Sequence, residues 1–217
     1  METPNLEKLL EEIFRLIEER KQQDKTIPVG ISNRHIHLCK EHVEILFGKD
    51  YSFEKIKDLS QIGQFACKEV VTICGPKGCI EKVRVLGPER KYTQVEVSSG
   101  DCIKLGVKSV IRLSGDITGT PGVTVVGPKG SIYLTEGVIV SKRHIHMTPE
   151  DANKFNVKDG DIVAIKVTGE RGGILENTVV RVTDTSALEC HLDVEEANAF
   201  GLNSKSKITI LEKNNFK

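Results

Sequence analysis

The sequence runs Gly30-Ile-Ser-Asn-Arg-His-Ile-His-Leu38, and the same Arg-His-Ile-His tetrapeptide returns 109 residues further on, within Val138-Ile-Val-Ser-Lys-Arg-His-Ile-His-Met147. A second correspondence, at an offset of 95 residues, places His191 opposite Glu96. Self-similarity at a fixed offset is the signature of an internal repeat. The chain is therefore predicted to consist of two copies of one unit.

The repeated unit is predicted to be rich in β-strands. After residue 26 the apolar residues fall into short runs of valine and isoleucine separated by glycine- and proline-containing turns, which is typical of barrels and sandwiches. Strands and long helices do not alternate, so a doubly wound parallel sheet is disfavoured. We predict a mainly β fold of two similar small β-barrel domains, residues 26–125 and 126–217, and leave strand exchange between the barrels open. Short capping helices are predicted at 40–47, 149–156 and 194–200.

The N-terminal segment follows a different pattern. Over residues 5–20, apolar residues recur at intervals of three and four, and glutamates occupy the remaining face. This pattern predicts an amphipathic helix. With the polar linker that follows, this segment makes up residues 1–25. Such a helix either packs within the protein or a dimer, or lays its apolar stripe on a different partner. The sequence leaves both alternatives open.

Composition excludes several classes of partner. The 217 residues contain 31 Lys and Arg and 31 Asp and Glu, so the chain lacks the basic surface typical of nucleic-acid binding. No apolar run approaches the roughly 18 residues of a membrane span, which predicts no membrane partner. The N-terminus lacks the pattern of a secretory signal, and the six cysteines include no Cys-x-x-Cys pair. We therefore predict a cytoplasmic protein with reduced thiols.

The repeated His-Ile-His carries the chemistry of the unit. In a strand, residues i and i+2 point to the same face, so the two histidines of each copy project together. Imidazole is the commonest metal ligand, and zinc suits sites that combine histidine with carboxylate. With one further residue from a later strand of each copy, there are enough ligands for two ions with open positions, which favours catalysis over a structural role. The candidate metal ligands are His35, His37, Glu96, His144, His146 and His191.

Two further residues are candidates for holding an anion. Arg90 lies on the segment that leads to Glu96, and a guanidinium offers two parallel donors to a phosphate. A surface ion pair with Glu89 explains Arg90 equally well from the sequence alone. Ser114, in Ser-Gly-Asp, either contacts an anion or forms an ordinary turn. The sequence has no Ser-His-Asp elbow, Walker loop or dinucleotide-binding glycine motif.

At these motifs the sequence resembles the phosphate propanoyltransferase family, the propanediol-utilisation type of phosphotransacylase. The resemblance covers about residues 27–212, and no motif position departs from it. The segments that carry it are Ser32-Asn-Arg-His-Ile-His-Leu38, Gly87-Pro-Glu-Arg90, Gln94-Val-Glu-Val-Ser98, Arg112-Leu-Ser-Gly-Asp116, Lys142-Arg-His-Ile-His-Met-Thr-Pro-Glu-Asp-Ala152 and Cys190-His-Leu-Asp193.

The resemblance implies two small β-barrels with two zinc ions between them, and transfer of an acyl group between coenzyme A and phosphate. It implies that Arg90 is the catalytic residue that holds phosphate, with Ser114 as a weaker phosphate or coenzyme A contact, and that phosphate attacks directly. Repeat symmetry would group Glu96 with His35 and His37, whereas the family resemblance suggests that Glu96 joins the three histidines of the second copy. Acetyl, propionyl and butyryl groups stay open as substrates.

The family also implies a homo-oligomer, and its members in bacterial microcompartments carry an N-terminal encapsulation helix. Residues 1–20 are therefore a candidate contact with a microcompartment shell or core protein. Two other functions stay open. A metal-dependent hydrolase or thioesterase would share the histidine pairs but would act without phosphate. A non-catalytic microcompartment protein would use fully coordinated ions to hold two barrels together.

Overall fold

The computed structural model of the chain describes residues 6–23 and 25–211, and the mainly β fold is confirmed. Residues 1–5 of the predicted N-terminal segment, residue 24 of the predicted linker and residues 212–217 of the predicted second domain lie outside the described residues. The helices are α1 (Leu6–Gln23), α2 (Lys40–Phe47), α3 (Ser99–Leu105), α4 (Pro149–Phe155) and α5 (Val194–Ala199). The strands are β1 (Thr26–Ser32), β2 (His35–His37), β3 (Lys55–Asp58), β4 (Phe65–Cys74), β5 (Cys79–Gly87), β6 (Gln94–Glu96), β7 (Ile111–Arg112), β8 (Thr124–Val126), β9 (Ser131–Tyr133), β10 (Val138–Ser141), β11 (His144–Met147), β12 (Ile162–Val167), β13 (Gly173–Val182), β14 (Glu189–Asp193) and β15 (Lys207–Ile210).

Six of the described strands form a closed barrel in the order β1-β14-β11-β13-β12-β15. Strand β1 pairs parallel to β14, with Gly30 opposite His191, and antiparallel to β15, with Ile27 opposite Ile208. Strand β15 also pairs with β12, so the described barrel has no open edge. All six strands contribute apolar side chains to its core.

The other nine described strands form a second sheet in the order β7-β10-β6-β2-β5-β4-β8-β9, with β3 attached to β4. This sheet is a curled half-barrel, whereas the sheet of the second copy closes into a barrel. The difference arises at β7, which occupies the place in the first copy that β15 occupies in the second. Strand β7 has two residues and, among the described strands, pairs only with β10, so it cannot bridge two neighbours as β15 does.

The two copies exchange strands. Strand β1 begins the first copy but lies in the barrel formed by the second, and β10 begins the second copy but pairs with β6 and β7 in the sheet of the first. Strand pairing therefore crosses the predicted boundary between residues 26–125 and residues 126–217. The division of the chain into these two domains stays a prediction. Each exchanged strand leads directly into a His-Ile-His strand, β2 or β11. The exchange thus brings both motifs to the junction of the two sheets.

An arginine before each His-Ile-His strand is tied to a capping helix of the same copy. Arg34 Nε donates to Asp101 Oδ2 at 2.8 Å, and Arg143 Nε donates to Glu196 Oε1 at 2.7 Å. Asp101 and Glu196 are the third residues of α3 and α5, where each completes a capping box. The same contact therefore fixes the approach to the metal-ligand strand in both copies.

Helix α1 exposes apolar side chains. Five apolar residues of the predicted stripe are between 43% and 65% exposed, so the rest of the described chain leaves these five uncovered: Leu9, Leu10, Ile13, Phe14 and Leu16. None of the helices in residues 6–23 and 25–211 is both long enough and apolar enough to cross a membrane.

The barrel core predicts a large effect for Ile165, which lies on β12 and is 0% exposed. Ile165→Ala is expected to lower the free energy of unfolding by about 2–5 kcal/mol, because apolar contacts are lost and a cavity is left. Urea unfolding of the metal-free protein measures this. The matched variant Ile174→Ala removes an isoleucine that is 50% exposed on β13, and is expected to change stability by no more than about 0.5 kcal/mol. Equal losses of unfolding free energy in the two variants would contradict the assignment of Ile165 to the barrel core.

Candidate metal centre

Two clusters of candidate ligands lie at the junction of the two sheets. Strands β2 and β6 pair antiparallel with His35 opposite Glu96, and β11 and β14 pair antiparallel with His144 opposite His191. Directly opposed residues share a face, so each His-x-His pair gains a third ligand from the neighbouring strand. The ligand atoms of each cluster lie within 4.8 Å of one another. The first cluster is His35, His37 and Glu96, and the second is His144, His146 and His191.

The structure thus brings all six sequence-predicted ligands together, three to a cluster. Glu96 lies with His35 and His37, which is the division that repeat symmetry indicates and not the one that the family resemblance suggested. The two clusters are neighbours, because residues of both line the same cavity.

Backbone carbonyls orient the first histidine of each motif. Nδ1 of His35 lies 2.8 Å from the carbonyl oxygen of Asn33, and Nδ1 of His144 lies 2.8 Å from that of Lys142. A carbonyl oxygen only accepts, so each Nδ1 carries a proton and Nε2 is the ring nitrogen left to face a metal. Metal-ligating histidines typically donate their second ring N–H in this way. The motif therefore presents Nε2 of both residues as a ligand.

The donor atoms fit zinc. Nε2 of His144 and Nε2 of His146 are 3.1 Å apart, close to the separation of about 3.3 Å expected for two nitrogens bound tetrahedrally at the usual zinc distances. In the first cluster, Nε2 of His35 lies 3.6 Å from Oε2 of Glu96. The buried Nδ1 of His37 has no hydrogen-bond partner in the described part of the protein. Three imidazoles, or two imidazoles and a carboxylate, are both ligand sets that zinc accepts.

The protonation states of the site suit metal binding. Burial lowers the pKa of His144 to about 4 and that of His146 to about 3, and it also depresses the pKa of His37. Burial opposes ionisation of Glu96, but the adjacent His35 outweighs it and holds the pKa of Glu96 well below its usual range. At neutral pH these three imidazoles are neutral and the carboxyl group is ionised, as metal ligation requires.

Both clusters line one cavity of ≈ 450 Å³, which also receives the two predicted anion contacts, Arg90 and Ser114. Nη1 of Arg90 donates to Oγ of Ser114 at 2.9 Å. Nε2 of Gln94 donates to the same oxygen at 2.8 Å and to Oε1 of Glu96 at 2.7 Å. A chain of hydrogen bonds therefore connects the candidate anion-binding arginine to a candidate metal ligand.

Sequence reasoning missed Arg181 and Glu189, which line this cavity, and Gln94, which contacts Glu96 and Ser114 beside it. Arg181 lies on β13 opposite His146, and burial together with the charge of Arg181 lowers the pKa of Arg90. The repeat contained a signal for it, since Val-Arg-Val recurs around residues 84 and 181. Gln94 and Glu189 occupy equivalent positions of the repeat but differ in residue type, so the sequence does not mark them as a recurring motif.

Comparison with known proteins decides the family. A sequence model of the phosphate propanoyltransferase family matches residues 28–203. The chain belongs to this family. It is 51% identical over 215 residues to the phosphate propanoyltransferase of Lachnoclostridium phytofermentans, covering 97% of this chain and 100% of the relative. The identity is 49% over 202 residues to that of Thermotoga maritima (93% and 94% covered) and 47% over 208 residues to that of Clostridioides difficile (96% and 100% covered).

Membership of the phosphate propanoyltransferase family confirms that the protein is an acyltransferase, as the sequence resemblance implied. It disfavours the two other functions, that of a metal-dependent hydrolase and that of a non-catalytic protein whose metal ions hold two barrels together. The metal content and the roles of individual side chains are not contained in the family name. They depend on the chemistry of the two clusters and the cavity between them.

Proposed function

We propose that the protein interconverts a short-chain acyl-coenzyme A and phosphate with an acyl phosphate and coenzyme A, at a site that holds two zinc ions. The observation that carries this proposal is the meeting of two three-ligand clusters and Arg90 in one cavity of ≈ 450 Å³. The names of the relatives support propionyl as the acyl group. Acetyl and butyryl are the alternatives that an assay separates.

The first cluster would hold one ion and the second cluster the other. Three protein ligands leave each ion with an open position for substrate. When bound, zinc supplies a Lewis acid that stabilises the negative charge developing at the carbonyl oxygen of the thioester. The protein contributes imidazoles oriented by backbone carbonyls and one ionised carboxylate to this site.

Arg90 and Arg181 are the residues we assign to phosphate, because their guanidinium groups line the cavity and each offers parallel donors to two oxygens. A phosphate oxygen forms a bond to the carbonyl carbon while the carbon–sulfur bond breaks, and coenzyme A leaves as the thiolate. This direct transfer needs no nucleophile from the protein. In agreement, no cysteine is among the described residues that line the cavity, and Ser114 accepts hydrogen bonds from Arg90 and Gln94.

The test is thiol release from propionyl-coenzyme A by the zinc-loaded protein, with and without inorganic phosphate. Release that requires phosphate supports acyl transfer, and comparison of acetyl-, propionyl- and butyryl-coenzyme A then assigns the chain length. Release at the same rate without phosphate would instead indicate a thioesterase. Zinc content per chain, measured on the same sample, tests the number of ions.

The exposed apolar residues of α1 support a docking role for this helix. We propose contact with a second copy of the chain or with a microcompartment shell or core protein, and a cytoplasmic location, free or inside such a compartment. Phe14→Glu places a charge on a side chain that is 65% exposed and is expected to weaken this contact without changing activity. Light scattering checks it: a smaller oligomer assigns α1 to the contact between copies, and an unchanged oligomer favours a different partner.

A further inference from the structure

The carboxylate of Glu189 contacts a candidate metal ligand without belonging to either cluster. Glu189 precedes His191 by two residues on β14, so both side chains lie on the same face of the strand. Oε2 of Glu189 accepts a hydrogen bond from Nε2 of His191 at 2.6 Å. The two side chains are only 15% and 25% exposed, so this contact is largely shielded from solvent. The bond occupies one of the two ring nitrogens of His191 and leaves Nδ1 for another partner.

Glu189 is held in place by the loop between β3 and β4 of the first copy. Oγ of Ser60, in the segment that follows β3, donates to Oε2 of Glu189. The next residue, Gln61, donates to the carbonyl oxygen of Ala187 at 3.0 Å and accepts from its N–H at 3.2 Å. A serine and a glutamine of the first copy therefore fix the start of β14, and the carboxylate with it.

The backbone of β1 leaves room for this pair. A Cβ atom at Gly30 would lie 2.7 Å from both Cδ and Oε2 of Glu189 and 2.9 Å from Cδ2 of His191. These distances are shorter than van der Waals contact, so a larger side chain at residue 30 would displace the carboxylate, the imidazole or both. Gly30, on the strand that leads to the first His-Ile-His, is thus explained by the close approach of Glu189 and His191.

The first copy contains the same arrangement with donor and acceptor reversed. At the offset of 95 residues, Gln94 corresponds to Glu189 and Glu96 to His191. Nε2 of Gln94 donates to Oε1 of Glu96 at 2.7 Å, whereas Glu189 accepts from His191. Where the ligand is a carboxylate its neighbour is an amide donor, and where the ligand is an imidazole its neighbour is a carboxylate acceptor. The pairing therefore follows the chemistry of the ligand in each copy.

We propose that Glu189 is a positioning residue that keeps the proton of His191 on Nε2 and so presents Nδ1 of His191 to the metal of the second cluster. This inference rests on the proposed function, since it assigns a partner to that metal site. A carboxylate that accepts the second N–H of a metal-bound histidine fixes the orientation of the ring and raises its basicity, and loss of such a partner typically weakens metal binding about 10–100-fold.

The test measures zinc affinity at both sites and the tautomer of His191 in the metal-free protein by ¹⁵N NMR. For the wild-type protein we expect the proton on Nε2. Glu189→Ala is expected to remove this preference and to weaken zinc binding at one site by about 10–100-fold. Gly30→Ala is expected to weaken the same site, although it leaves Glu189 in the sequence. Glu176→Gln, which alters an exposed carboxylate on β13, is the control and is expected to match the wild type.

Three results would overturn the proposal. Unchanged zinc affinity at both sites in Glu189→Ala is one, and a wild-type tautomer with the proton on Nδ1 is another. The third is loss of an oxygen ligand from the cobalt-substituted Glu189→Gln protein, because it would make Glu189 a direct ligand. Absence of zinc binding by the wild-type protein would instead contradict the proposed function, while the tautomer measurement would still test the Glu189–His191 contact.

Discussion

Replacing His144 with alanine is expected to remove one of two zinc ions and to lower the rate of acyl transfer by about 10³-fold. His144 is 4% exposed, and the centroid of its ring lies 4.8 Å from that of His146 and 5.1 Å from that of His191. Loss of Lewis-acid stabilisation worth several kcal/mol corresponds to this factor, since each 1.36 kcal/mol is tenfold in rate. Metal analysis and the phosphate-dependent thiol assay measure the two effects.

His42 provides the matched control for this variant. It lies outside both clusters, on α2, where its Nδ1 is 2.7 Å from Oγ1 of Thr93. His42→Ala is expected to keep two zinc ions and nearly wild-type activity. Two ions and full activity in His144→Ala would remove the second cluster from the mechanism. Equal loss in both variants would point to damage of the fold, which the unfolding midpoint of each protein checks.

The local part of the site could be predicted from sequence because it depends on spacing alone. In His35-Ile-His37 and His144-Ile-His146 the period of two residues puts both imidazoles on one face of a strand. The repeat then identified Glu96 and His191 as equivalent third positions, and the structure places each of them opposite the first histidine of its own copy. Symmetry was the better guide to the position of Glu96, because strand pairing is repeated along with the sequence.

The parts that escaped sequence reasoning depend on contacts between distant segments. The open first sheet follows from β7, which is too short to bridge two neighbours as β15 does. The contact between Ser60 and Glu189 joins residues 129 positions apart, across two sheets that exchange strands. No periodicity records such a contact. The requirement for glycine at residue 30 is similar, because it arises from side chains of β14, which pairs with β1.

Arg90→Ala is expected to keep both zinc ions and to lower kcat/KM for phosphate by about 10²-fold. Arg90 is partly buried in the cavity, where Nη1 donates to Ser114 at 2.9 Å and the backbone N–H donates to the carbonyl oxygen of Leu38 at 2.9 Å. The backbone contact survives the substitution, so the loss is confined to the charged group. Charge-assisted hydrogen bonds are worth about 1.5–3 kcal/mol each, which gives this factor.

The comparison with Arg90→Lys separates charge from geometry. A lysine restores the positive charge but offers a single point of contact, so it is expected to recover only part of the phosphate dependence. Lys91→Ala removes the neighbouring exposed cation and is expected to leave the KM for phosphate unchanged. If Arg90→Ala kept the wild-type KM for phosphate and the wild-type rate, Arg181 alone would have to hold the anion. An effect on the KM for acyl-coenzyme A alone would place Arg90 at the coenzyme instead, because a residue that holds phosphate must show its loss in the dependence on phosphate concentration.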